Sequence, residues 1–143
     1  RCRQMAMMVL YEAPLQMLSD SVKKYRANAK CFKFMANTPV VWDDTVGLGG
    51  TPWTYSAIAR KAKDGSWYAA AITDKEQRDV VIDTSFLGKG KWTAEIFRDA
   101  SDADVSPTNY IHETGTPIVV GSKMKCHLAP GGGFVCRFFA GKE

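Results

Sequence analysis

The residues of this 143-residue chain whose types could do chemistry are four cysteines, two histidines, a loop rich in carboxylates and four tryptophans. Their spacing removes most of the options. Cys2, Cys31, Cys126 and Cys136 contain no Cys-x-x-Cys pair, and His112 and His127 are not placed to complete a zinc site. Neither histidine stands near a serine or cysteine in the elbow that a nucleophilic hydrolase uses. No catalytic residue and no metal ligand is assigned from spacing. Cys126 and Cys136 lie symmetrically about Gly131, and a hairpin centred there would set them opposite each other. Cross-strand Cβ atoms lie about 4.5–5.5 Å apart, which permits a disulfide, with two inward-facing thiols the preferred alternative.

Asp99, Ser101, Asp102 and Asp104 crowd one loop and offer oxygens of the kind calcium takes. The spacing departs from an EF-hand and no Glu closes it, so solvated turn carboxylates are the preferred reading. Gly131-Gly132-Gly133 after Pro130 lacks the following helix that would let it hold phosphate, and reads as a turn. The rings of Trp53, Trp67, Tyr68 and Trp92 could stack on sugars. Strand alternation turns Trp67 and Trp92 inward, which leaves Trp53, in a loop, as a candidate substrate-binding residue. Asp20 is the other candidate: it follows the apolar run Leu15-Gln16-Met17-Leu18 and lines a pocket if that run is a barrel strand. The alternative is that Asp20 caps the next helix, a role Ser19 or Ser21 fills equally well.

The elements that must position these residues change character midway. Residues 1–11 read as a helix apolar nearly all round, without a capping residue ahead of it, as expected of a piece of a longer chain. Pro14 is expected to close it, residues 15–18 to form a short buried strand, and residues 22–36 a second helix stopped by Asn37-Thr38-Pro39. Helix, strand, acid, helix is the closing segment of a parallel α/β architecture. It needs neighbours that are absent here, so it is expected to dock on the rest of the chain or on another copy, or to be mobile. Residues 46–53, with Gly47, Gly49, Gly50 and Pro52, read as a linker.

Strands then follow: 54–61, a turn at Asp64-Gly65, 67–73, 78–86, a turn at Gly88-Lys89-Gly90, 92–99, 110–113 with 118–120, and a closing hairpin of 124–128 with 134–139. The expected fold is mainly β, an antiparallel β-sandwich (46–143) preceded by a helical segment (1–45) of a parallel α/β architecture, a fragment of a (β/α)8 barrel if the parent has that fold. Its expected core is Tyr55, Trp67, Ile82, Trp92, Ile96, Leu128, Phe134 and Phe138.

Composition agrees with a folded chain: 45% hydrophobic residues suffice for a core, and the net charge of +4 is small. Lys23, Lys24, Arg26, Lys30 and Lys33 form the densest basic cluster, without the aromatic-studded groove of a nucleic-acid site, so no nucleic-acid partner is expected. No apolar run approaches the roughly 20 residues that span a bilayer, and no membrane partner is expected.

Longer stretches carry a resemblance. Arg1-Cys2-Arg3-Gln4-Met5-Ala6-Met7 and Tyr11-Glu12-Ala13-Pro14-Leu15-Gln16-Met17-Leu18-Ser19-Asp20 resemble the end of the catalytic barrel in glycoside hydrolase family 97. Val41-Trp42-Asp43-Asp44-Thr45, Phe97-Arg98-Asp99 and Leu128-Ala129-Pro130-Gly131-Gly132-Gly133-Phe134 are similar to its C-terminal sandwich and the junction before it. The resemblance implies the tail of a bacterial, periplasmic or secreted enzyme that removes terminal α-glucosides or α-galactosides. It implies calcium in the parent, with ligands and catalytic carboxylates upstream of Arg1, and therefore an inactive fragment. The partners it implies are the remaining catalytic domain, a carbohydrate substrate and further copies in a homo-oligomer. The alternative function is a carbohydrate-binding sandwich without catalysis, using Trp53, or else a purely structural interaction domain.

Overall fold

The computed structural model describes residues 1–13 and 15–141; Pro14, expected to close the first helix, lies outside the described residues. Among the described residues eight strands follow three short α-helices: α1 (Cys2–Leu10), α2 (Val22–Ala27), α3 (Ala29–Asn37), β1 (Asp44–Thr51), β2 (Tyr55–Lys61), β3 (Trp67–Thr73), β4 (Arg78–Asp83), β5 (Trp92–Asp99), β6 (Tyr110–Ile118), β7 (Lys123–Leu128) and β8 (Gly133–Ala140). Six strands form one sheet in the order β1-β2-β3-β8-β5-β6, and β4 pairs with β7 in a two-stranded ribbon; every pairing is antiparallel. The mainly β, sandwich-like fold with a helical segment ahead of it is the one the sequence led to expect.

The large sheet is covered on both faces. On one, Trp67, Ala69, Ala71, Trp92, Ile96, Phe134, Cys136 and Phe138 pack against Val80, Ile82, Cys126 and Leu128 of the ribbon. On the other, Tyr68, Ala70, Phe97 and Val135 pack against Cys2, Met5, Ala6 and Val9 of α1 and Cys31, Phe34 and Met35 of α3. All eight expected core residues lie in the first cluster or against it. The Ala69-Ala70-Ala71 run lies at the centre because small side chains let both layers close on the sheet. Gly133 serves the same end, since a Cβ there would lie 2.8 Å from the Arg3 Cα and 3.1 Å from the Ala71 carbonyl oxygen.

Several expected elements differ. Residues 46–53 are no linker: they supply most of β1, an edge strand with a bulge between Gly47 and Gly49. Glycine is tolerated there because an edge strand pairs on one side only and a bulge favours a residue without a side chain. The strand expected at 15–18 does not form; Leu15 and Met17 are 78% and 87% exposed. A parallel strand needs flanking strands, and this chain offers none there. The second helix breaks in two at Asn28 (φ −116°, ψ 50°), whose side-chain amide donates to the Lys24 carbonyl at 2.9 Å. Residues 110–118 form one strand through Pro117, tolerated because β6 is an edge.

The closing hairpin is also absent. β8 is taken on both sides by β3 and β5, so β7 crosses to pair with β4 in the other layer. Cys126 therefore faces Val80, Cys136 lies between Ala69 and Ile96, and all four cysteines are free thiols buried in the cores.

Two buried polar groups fix the layers. Asp99 is 6% exposed, and its Oδ2 accepts the N–H groups of Ala129 (3.1 Å) and Gly133 (2.8 Å), where the chain passes from β7 to β8. Asp99 is thus not a solvated turn carboxylate, unlike the exposed Asp102 and Asp104. Arg60, 8% exposed, donates through Nη1 to the Tyr11 carbonyl (3.1 Å) and through Nη2 to that of Leu10 (3.5 Å). A cation at the end of α1 satisfies carbonyls that have no helical partner.

Two outcomes follow for stability. Gly133→Ala forces α1 away from the sheet and is expected to lower stability by about 1–3 kcal/mol, read from the urea midpoint at unchanged slope. Arg60→Met removes the hydrogen bonds to the end of α1 and is expected to cost about 1–3 kcal/mol, with faster amide exchange confined first to Cys2–Leu10.

Candidate functional site

The two sequence candidates occupy different hollows. Asp20 lies in the exposed stretch ahead of α2, where its Oδ1 accepts the Ser21 N–H at 2.7 Å and lies 3.5 Å from Lys24 Nζ. The capping role belongs to Ser21, whose Oγ accepts the Lys24 N–H at 3.5 Å. Asp20 borders a hollow of about 780 Å³ between α1, the 15–18 stretch, α2 and Pro107, with Arg1, Met8, Tyr11 and Tyr25 also on its walls. The exposed Leu15, Met17, Leu18 and Val22 extend this region as apolar surface without cover.

Trp53 stands at the tip between β1 and β2, 99% exposed and with a left-handed backbone (φ 65°). It borders a second hollow, of about 450 Å³, with Arg3, Tyr55, Ser56, Thr73 and Asp74. Arg3 of α1 reaches in through Nη1, which donates to the Thr73 carbonyl at 2.6 Å and the Gly131 carbonyl at 3.4 Å. Asp74 accepts the Glu76 N–H at 2.9 Å and pairs with Arg78 Nη2 at 3.5 Å. The backbone bond from Glu76 and then the Arg78 charge hold its carboxyl below the ordinary range. The Arg78 guanidinium also lies over the Tyr55 ring, 5.2 Å from its centroid. Trp67 and Trp92 are buried, as their alternation required, and are closed to ligands.

Arg3 and Asp74 were not singled out from the sequence. One comes from a helix and the other from the β3–β4 turn, and no local pattern links them to Trp53. Asp20 and Trp53 share no hollow. Among the described residues no cluster of three or more His, Cys, Asp or Glu side chains could hold a metal ion.

The thiols are chemically quiet for a physical reason. Burial pushes Cys2 and Cys126 from an ordinary 9.0 up to about 12, and drives Cys136 well above its ordinary value. The unfolded chain releases the Cys2 and Cys126 protons near 9 while the folded chain retains them to about 12. The stabilisation is full below 9 and is lost as pH rises through that window. The expected outcome is no reaction with an aromatic disulfide reagent at about pH 8 until urea unfolds the chain, and a lower urea midpoint at about pH 10.5 than at pH 8.

Comparison with known proteins gives this geometry its setting. A retaining alpha-galactosidase of Bacteroides thetaiotaomicron is 39% identical over 137 residues, covering 96% of this chain and 20% of that enzyme. A glycoside hydrolase family 97 enzyme of Pseudoalteromonas sp. strain K8, solved with acarbose, is 29% identical and superimposes over 99% of this chain and 22% of its own, with a TM-score of 0.93. A beta-arabinopyranosidase is 27% identical, covering 95% of this chain and 20% of its own at a TM-score of 0.71. The chain therefore spans about a fifth of the length of these relatives. Residues 41–139, β1 to β8, match the profile of the family described as Glycosyl-hydrolase 97 C-terminal, oligomerisation, and the chain belongs to that family.

Proposed function

We propose that this chain is the carboxy-terminal part of an enzyme that hydrolyses α-galactosides or α-glucosides. In this reading residues 1–45 complete a catalytic barrel, and the sheet layers buttress it and serve in association of further copies. The observation that carries the reading is the pairing of a docked α1 with an uncovered 15–18 stretch: Leu15, Met17 and Leu18 are apolar, outside any helix or strand and exposed beside a helix already seated on the sheet. Such side chains gain about 1.5–3 kcal/mol each on burial, and parallel neighbour strands would cover both them and their backbone groups. The superposition of the helices together with the sheets on a family 97 enzyme supports the same reading.

The chemistry divides accordingly. Glycoside hydrolysis requires two carboxyl groups about 5–9.5 Å apart across the scissile bond. Asp20 stands at the end of the 15–18 stretch, where a barrel keeps its active site, and is proposed to line the pocket without acting as either carboxylate. Calcium in the parent is assigned in this reading to oxygen ligands on residues other than those of this chain. Its binding, and the reaction, belong to the upstream residues of an exported parent.

The isolated chain is expected to show no turnover of aryl α-galactosides or α-glucosides above background, while the parent polypeptide carrying it does. Turnover by the isolated chain that disappears in Asp20→Asn would overturn this division.

A further inference from the structure

Of the four tryptophans, Trp67 and Trp92 are buried and Trp42 is half-buried against Tyr68. Trp53 alone presents its indole to solvent. It does so from a left-handed backbone that an L-residue adopts only at a cost and that glycine would occupy freely. A bulky aromatic held in that conformation, with almost no contact to the rest of the chain, does nothing for the fold. Residues kept in such a position usually serve a ligand.

The surroundings of Trp53 have the chemistry of a sugar site. An exposed indole offers a flat apolar face to the C–H face of a pyranose, and a planar guanidinium and a carboxylate beside it can share vicinal hydroxyls between donor and acceptor. Among the described residues Arg3 uses Nη1 for the Thr73 and Gly131 carbonyls, which leaves Nη2 for a ligand. Among the described residues, the bonds of Asp74 run through Oδ1, which leaves Oδ2 as the acceptor. The hollow of about 450 Å³ takes a short saccharide.

Its position also bears on the substrate. In a (β/α)8 barrel each helix starts at the catalytic face. Arg3 lies in the first turn of α1 and borders the hollow of Trp53, so Trp53 stands at the end of α1 that faces the catalytic side in that reading.

We propose that Trp53, with Arg3 and Asp74, forms a carbohydrate-binding platform that holds a neutral pyranose of an α-linked oligosaccharide at the rim of the catalytic face, away from the reacting bond. The placement at that rim rests on the functional reading above; the platform itself rests on the three side chains.

The test is titration of the 143-residue chain with raffinose and with maltotriose, followed by the tryptophan indole N–H resonances. The expected result is a saturable shift of the Trp53 signal at millimolar sugar, with Trp67 and Trp92 unmoved. Trp53→Ala is expected to weaken binding by about tenfold or more, with Trp53→Tyr recovering part of it. Trp53→Gly is expected to lose binding while melting at a higher temperature than the wild type, which a structural tryptophan would not do. Absence of a saturable Trp53 shift with either sugar, equal binding by Trp53→Ala, or a lower melting temperature for Trp53→Gly overturns the proposal. So does light scattering in which the wild type self-associates and Trp53→Ala does not, since Trp53 would then anchor a second copy.

The functional reading is separable. In the parent enzyme Trp53→Ala is expected to raise KM for the oligosaccharide by a larger factor than KM for a small aryl glycoside. Inactivity of the unsubstituted parent would count against the functional reading and leave the titration result standing.

Discussion

The strand β8 lies between β3 and β5 and is buried on both faces, and this one placement governs the rest of the molecule. Phe134, Cys136 and Phe138 face the β4–β7 ribbon, while Val135 faces the helices. A sheet that is apolar on both sides at its centre cannot leave either side to water. The ribbon and the helical segment are therefore equally necessary covers. Phe97 shows how complete the second cover is, with Phe34 edge-on at 5.2 Å and His112 stacked on it at 4.1 Å between ring centroids. With α1 and α3 removed, Tyr68, Phe97 and Val135 would be exposed at about 1.5–3 kcal/mol each. The helical segment belongs to the core of this chain whatever else it completes.

Polar groups hold these layers in register. Asp99 anchors the crossing from β7 to β8, and Arg60 holds the carbonyl end of α1 against β2. Both side chains are buried, and each bonds to backbone rather than to an opposite charge, with the Arg60 Nε left without a hydrogen-bond partner among the described residues. Removing either would leave main-chain groups without partners in a dry interior, a loss larger than that of one exposed hydrogen bond. The loop that looked like a cluster of carboxylates is thus divided: Asp99 is architecture, whereas Asp102 and Asp104 make local turns at the surface, to Asn109 and to the Val105 N–H.

The surface left over is what connects fold to function. Leu15, Met17 and Leu18 lie uncovered on the helical side, and Trp53 lies uncovered at the tip of β1 and β2. The first is an apolar stretch with open backbone, suited to neighbouring strands. The second is a single ring beside a guanidinium and a carboxylate, suited to a small hydroxylated ligand.

The sequence by itself determined the alternation of Trp67 to Thr73 and Trp92 to Asp99, the turn at Asp64-Gly65, the eight core residues and the family resemblance, because each is written in local spacing or in short contiguous motifs. It also marked Trp53 and Asp20 as residues to watch. Only the tertiary structure decided that Gly47 to Thr51 form an edge strand, that β7 leaves β8 for β4, and that residues 15–18 join no helix or strand among the described residues. Strand pairing is settled by competition among distant segments for the same edges, and β8 had two better neighbours than β7. The same holds for Arg3 and Asp74, which meet Trp53 because α1 docks across the end of β3. That contact joins residues 3 and 74, and no window of local sequence contains it.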